Sequence, residues 1–106
     1  MIDYKAADDA IKYLVSTDEE LARVKVLYEA LYEQKKTIQA VQFLKANGSA
    51  AEKTQKALAS EQYHDHLALI KDAQLEFEIL RNKRQSQVSV IDMWRSVNSN
   101  QKKGNI

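Results

Sequence analysis

The run His64-Asp65-His66 is the part of this chain that most resembles a set of metal ligands. On a helix, residues two apart point roughly 200° away from each other around the axis, so the two imidazoles cannot close on one ion unless the helix melts. Solvent-facing histidines are the expectation. Glu76 and Glu78 share that spacing and fail as an acid and base pair for the same reason, and Asp8-Asp9 falls in an N-terminal helical turn. The chain has no cysteine, which removes a thiolate nucleophile, a thiolate zinc site and a disulfide framework, and suits a reducing compartment. It has neither a glycine-rich phosphate loop nor a nucleophile elbow. Enzymatic activity, a metal and a cofactor are therefore not expected.

The remaining chemistry is charge. Net charge is +1 over 106 residues, yet it comes in blocks. Residues 1–22 hold two basic and six acidic side chains, residues 23–56 seven and three, residues 57–80 one and five, and residues 81–106 six and one. Two acidic zones thus alternate with two basic ones, and a charged partner responds to the zones rather than to the average.

What positions these charges is helix. Proline is absent, and Gly48 is the only glycine before Gly104. Apolar residues recur every three or four positions: Ala7, Ala10, Ile11 and Leu14, then Leu21, Val24, Leu27, Tyr28, Leu31, Ile38 and Val41, with Lys35 as an interruption. Thr17 with Glu20 fits a capping box that would start a new helix or kink a longer one. Asn47-Gly48 supplies a helix stop, and Ser49 with Glu52 is a second capping box. A last helix is then expected from about Ala50 to about Asn98, its stripe marked by Leu67, Ile70, Phe77, Leu80, Val88, Ile91 and Trp94.

At about 1.5 Å per residue the last helix is roughly 73 Å long, and residues 3–46 match it at about 66 Å only as one nearly continuous arm. The expected fold is all-α. It is a long antiparallel, coiled-coil-like hairpin: a single domain over residues 1–98, with arm one at 3–46, the turn at 47–49 and arm two at 50–98. A flexible basic tail over residues 99–106 follows. Positions whose numbers sum to about 97 then face each other, which brings Arg81 and Arg84 near Leu14 to Ser16 and within reach of Asp9, Asp18, Glu19 and Glu20.

Two helices cannot enclose a core, so a homo-oligomer is expected, with Leu31, Ile38, Leu67, Ile70, Phe77, Leu80, Val88, Ile91 and Trp94 at the seam or the contact between copies. The start of the chain lacks a basic region followed by an apolar run, and no stretch of about eighteen apolar residues occurs. Neither secretion nor membrane spanning is expected.

Lys45, Lys53 and Lys56 cluster about the turn, with Lys35 and Lys36 below it on the first arm. A positive end of this kind suits phosphates. Among the aromatic residues nearby, Tyr28 is expected in the seam and Tyr32 is the better placed to stack on a base, with Phe43 close. Lys35, Lys36, Lys45, Arg81, Lys83, Arg84, Lys102 and Lys103 are the candidate nucleic-acid contacts.

Tyr4, Ala6 and Ala7, then Lys35-Lys36 twelve residues ahead of the Gly48 turn, then a long second helix, resemble the UvsY-type recombination mediators of bacteriophages. That resemblance, concentrated in residues 4–48, implies a small oligomeric helical protein in the host cytoplasm. Such a protein binds single-stranded DNA and helps to load a recombinase. The ending from Trp94 to Asn105 resembles small phage proteins encoded beside recombination and replication genes, and the protein partner expected is a recombinase, an annealing protein or a single-strand-binding protein. Only Lys35 and Lys36 carry over as DNA contacts. Where the family has further basic residues before the turn, this chain has Ala40 and Gln42.

The leading expectation is an accessory protein of phage DNA recombination or replication that binds single-stranded DNA and a protein partner. A second reading is a small inhibitor of a host defence protein, with Asp65, Asp72, Glu76 and Glu78 imitating phosphates. A third is a structural coiled-coil adaptor.

Overall fold

A computed structural model describes the backbone of residues 3–104 and the side chains of residues 3–101. Among the described residues there are three helices, α1 Tyr4–Lys45, α2 Ala50–Leu58 and α3 Glu61–Gly104, and no strand. They form two compact units: residues 3–22 with 78–104, and Arg23–Phe77.

Asp3 starts α1, its Oδ1 accepting the Ala6 N–H at 2.9 Å. The helix does not restart at Thr17. That hydroxyl bonds backwards to the Tyr13 carbonyl oxygen at 2.8 Å, as the Ser16 hydroxyl does at 2.9 Å. This is the alternative a mid-helix Ser or Thr has to capping, and it corrects the capping box expected there.

α1 ends where expected. Gly48 takes φ +119°, a left-handed conformation that residues with a Cβ rarely adopt, and Ser49 caps α2 by accepting the Glu52 N–H at 3.2 Å. The Ser49 hydroxyl donates to the Glu52 carboxylate, also at 3.2 Å. A Cβ on Gly48 would sit 2.6 Å from Glu52 Oε2. Gly48→Ala is therefore expected to lower unfolding free energy by about 1–2 kcal/mol, read from a urea melt, with the strain in the backbone as the larger part.

The second arm is not continuous from residue 50. It breaks at Ala59-Ser60, where Ser60 Oγ donates to the Ala57 carbonyl oxygen at 2.7 Å and accepts the Tyr63 N–H at 3.2 Å. Ser60 thereby ends one helix and caps the next, and Glu61 follows in the first turn of α3, against the positive end of the helix dipole. At the other end α3 runs to Gly104, past the expected end near Asn98.

Within each unit, α1 and α3 run antiparallel along a seam spaced three and four residues apart. In the first unit, Ala7, Ala10, Leu14, Thr17 and Leu21 line it from α1, and Leu80, Arg84, Gln87, Ile91 and Trp94 from α3; all are buried or half-buried. In the second, Tyr28, Leu31, Lys35 and Ile38 meet the side of α3 carrying Tyr63, His66, Ile70, Ala73 and Phe77, and these too are buried or half-buried. Five apolar residues assigned to the stripe lie outside it: Ile11, Leu27 and Val41 are 49%, 50% and 39% exposed, and Leu67 and Val88 are half-buried one position past the seam residues His66 and Gln87. Lys35, read as an interruption, occupies a seam position.

The cores are thin. Ala7, Ala10, Ala57, Ile70, Ala73 and Leu80 are the buried apolar residues among those described, and no large side chain is fully enclosed. Ring contacts add to the packing: Tyr4 meets Trp94 edge-on at 6.0 Å in the first unit, and Tyr28 stacks on Phe77 at 5.9 Å in the second. Tyr28 and Trp94 thus serve the interior. So does His66, which is 7% exposed rather than solvent-facing and donates from Nε2 to the Leu31 carbonyl oxygen at 2.6 Å. His64 is exposed.

Candidate nucleic-acid interface

The fold distributes the eight candidate cations unequally. Lys35, Lys36 and Lys45 belong to the Arg23–Phe77 unit, and Arg81, Lys83 and Arg84 to the other. The side chains of Lys102 and Lys103 lie outside the described residues.

Arg84 leaves the set. Its side chain is 15% exposed and its guanidinium is held by three acceptors: the Leu14 carbonyl oxygen at 2.7 Å, Thr17 Oγ1 at 2.6 Å and Asp18 Oδ1 at 2.5 Å. The donors that would grip a phosphate already bond inside the chain. Arg81 bonds Glu78 one turn back on α3 at 2.7 Å and is 58% exposed, while Lys83 is exposed. At the start of the same unit, exposed Lys12 pairs with Asp8 at 2.9 Å, and that hydrogen bond raises its pKa above the ordinary lysine value.

The second unit offers more. In a repeat of three and four, residues just after a seam position lean to one side of the helix and those just before it to the other, and antiparallel pairing puts the "after" sides of both helices on one face. On α1 that side carries Lys25, Glu29, Tyr32, Lys36 and Phe43; on α3 it carries His64 and Lys71. Lys35 leans onto it from the seam, its Nζ 4.5 Å from the centroid of the Tyr32 ring. α2 adds Lys53, whose Nζ stands 5.3 Å from the centroid of Phe43. Lys36 and Phe43 line one groove with Gln39, Ala40 and Leu44, about 360 Å³ in volume. Tyr32 is 48% exposed and borders a second groove of about 200 Å³ with Tyr28, Glu29 and Glu33. This is a face where lysines alternate with aromatic rings.

Lys45 is not on it. It lies nine residues beyond Lys36, about half a revolution round α1. Lys56 donates instead to the Asn47 carbonyl oxygen at 2.8 Å and closes the turn. Sequence reasoning placed Lys53 in the positive cluster about the turn and Phe43 close to it, but counted neither of them, nor Lys71, among the contacts. The lysines could have been found by projecting the seam spacing onto the flanking positions, but the place of Lys53 depends on the break at Ser60, which frees α2 from the line of α3.

The opposite face of this unit carries Leu27 and Val41 from α1 and Asp65, Leu69, Asp72 and Glu76 from α3, all exposed. Glu78, the fourth carboxylate of the phosphate-like line, is bonded to Arg81.

No family model, curated protein or solved structure matches this chain. Among the described residues no group of three or more side chains suited to a metal comes together, and no helix is long and apolar enough to cross a membrane.

Proposed function

We propose that this protein works by contact rather than catalysis, binding single-stranded DNA on the lysine and aromatic face of its Arg23–Phe77 unit. The observation that carries the reading is the pairing of cations with rings on one surface: Lys35 over Tyr32, and Lys53 over Phe43 beside Lys36. Ammonium groups at this spacing take up phosphates, and exposed rings beside them stack on unpaired bases, which a duplex does not present. The resemblance of residues 4–48 to the UvsY-type mediators supports the same ligand. Placing the protein in phage recombination or replication, in the host cytoplasm and beside a recombinase, an annealing protein or a single-strand-binding protein, rests on that resemblance alone. Blocking a host protein by imitating phosphates has less behind it, because Glu78 is engaged by Arg81.

Fluorescence anisotropy with a labelled single-stranded oligonucleotide, titrated with sodium chloride and compared with duplex, tests the reading. Lys36→Glu with Lys53→Glu is expected to weaken binding about tenfold or more and to flatten the salt slope by about one for each phosphate no longer neutralised. Tyr32→Ala is expected to reduce the preference for single strands without changing that slope. Equal affinity of wild type and the lysine variant at low salt sinks the assignment.

A further inference from the structure

The two faces of the Arg23–Phe77 unit are complementary to each other. One presents Lys25, Lys36 and Lys71 around Tyr32 and the half-buried Leu67; the other presents Asp65, Asp72 and Glu76 around Leu27 and Leu69. Leu27 and Leu69 are 50% and 53% exposed and form an aliphatic centre rimmed by carboxylates. The lysine face has an aromatic and aliphatic centre rimmed by cations in excess, with Glu29 also on the rim. Like faces would bring like charges together, carboxylate to carboxylate or lysine to lysine. Unlike faces place three carboxylates against three lysines and bury apolar side chains that the thin core of a single copy leaves in water.

We infer that the acidic face of one copy docks on the lysine face of a second copy. This deepens the proposed function, because it uses the same lysine face and makes self-association and DNA binding compete. The contact is heterologous: each copy keeps one free face of each kind, so assembly continues past a dimer instead of closing at two. DNA occupying the lysine face then acts to disperse the assembly. Exposed charge pairs on the rim make it sensitive to salt over distances of about 10 Å at 0.1 M ionic strength.

Sedimentation velocity on the full chain tests this with two variants whose changes are all at exposed positions. Asp65→Lys with Asp72→Lys makes both faces positive, and Lys25→Glu with Lys36→Glu and Lys71→Glu makes both negative. Wild type is expected to grow with concentration beyond a dimer at low salt and to disperse on adding a single-stranded oligonucleotide. Each variant alone is expected to associate about tenfold or more weakly, and an equimolar mixture of the two to recover assembly. Circular dichroism checks that both keep their helix. A plateau at two copies overturns the inference because it means a contact that closes on itself, and full assembly by the Lys25→Glu, Lys36→Glu, Lys71→Glu variant alone overturns it because the lysine face is then not used. Anisotropy separates this from the DNA reading: Asp65→Lys with Asp72→Lys retains oligonucleotide binding even as it loses assembly. Wild type that binds DNA but stays monomeric overturns the inference alone, and wild type that assembles but ignores DNA overturns the DNA reading alone.

Discussion

Leu80→Asp is expected to abolish the cooperative melt of the unit it belongs to, while Ile79→Asp, one residue away, leaves it nearly intact. Both changes put the same carboxylate into the same turn of α3, so helix propensity and net charge are matched and only burial differs: Leu80 is 8% exposed and Ile79 is 45%. Removing the leucine forfeits its apolar burial, and the new charge enters the part of the seam that Leu14, Thr17 and Leu21 line from α1, all half-buried. Arg84, one turn on, could reach the new carboxylate only by leaving Thr17 and Asp18. The combined loss is about 4 kcal/mol or more, against a total of about 5–15 kcal/mol for a chain of this size. Ile79→Asp should shift stability by about 0.5 kcal/mol. Urea melts followed by circular dichroism compare the two, and equal midpoints would show that the seam runs along a different side of α3.

The helical class, the stop at Gly48, the Ser49 cap and the antiparallel pairing within each unit follow from local patterns that the sequence carries openly. Three features did not. Thr17 and Ser60 both head sequences that suit a helix start, yet only Ser60 makes one. The difference lies in what surrounds each, because Thr17 is a seam residue that accepts from Arg84 across the helix pair, and spacing along the chain does not contain that partner. His66 reads as half of a solvent-facing pair because no local rule signals a carbonyl 35 residues away that accepts its hydrogen bond. Leu27 and Val41 are apolar and near the seam in number, but each stands one position before a seam residue, and one position is about 100° of rotation. Reading the stripe as every third or fourth apolar residue blurs seam and flank, and the proposed faces live on the flank. The site was legible in part: Lys35, Lys36 and Tyr32 by their nearness to the turn, but not the separation of Lys45 from them or the addition of Lys53.

Arg84 is the polar residue on which the pairing of the first unit turns, and its replacements are expected to separate stability from register. Arg84→Ala removes both the guanidinium bonds and the packed stem, at about 2–4 kcal/mol. Arg84→Met keeps the stem, and what it abandons is not stranded: Asp18 is 68% exposed and returns to water, and the Thr17 hydroxyl still donates to the Tyr13 carbonyl oxygen. Replacing a buried charge by an apolar side chain of similar length is often neutral, so Arg84→Met should fall within about 1 kcal/mol of wild type. Register is where it should fail. With methionine the polar residues left in this seam are the neutral Thr17 and Gln87, and a slip of one heptad strands no charge; with arginine the slip tears the guanidinium from three acceptors. Trp94, the single tryptophan, reports on this because its ring sits edge-on to Tyr4 in the native pairing. Arg84→Met is expected to melt near the wild-type midpoint but with Trp94 emission broadened and shifted to the red. If it instead loses as much stability as Arg84→Ala with the emission unchanged, the three bonds hold the unit together rather than choosing its alignment.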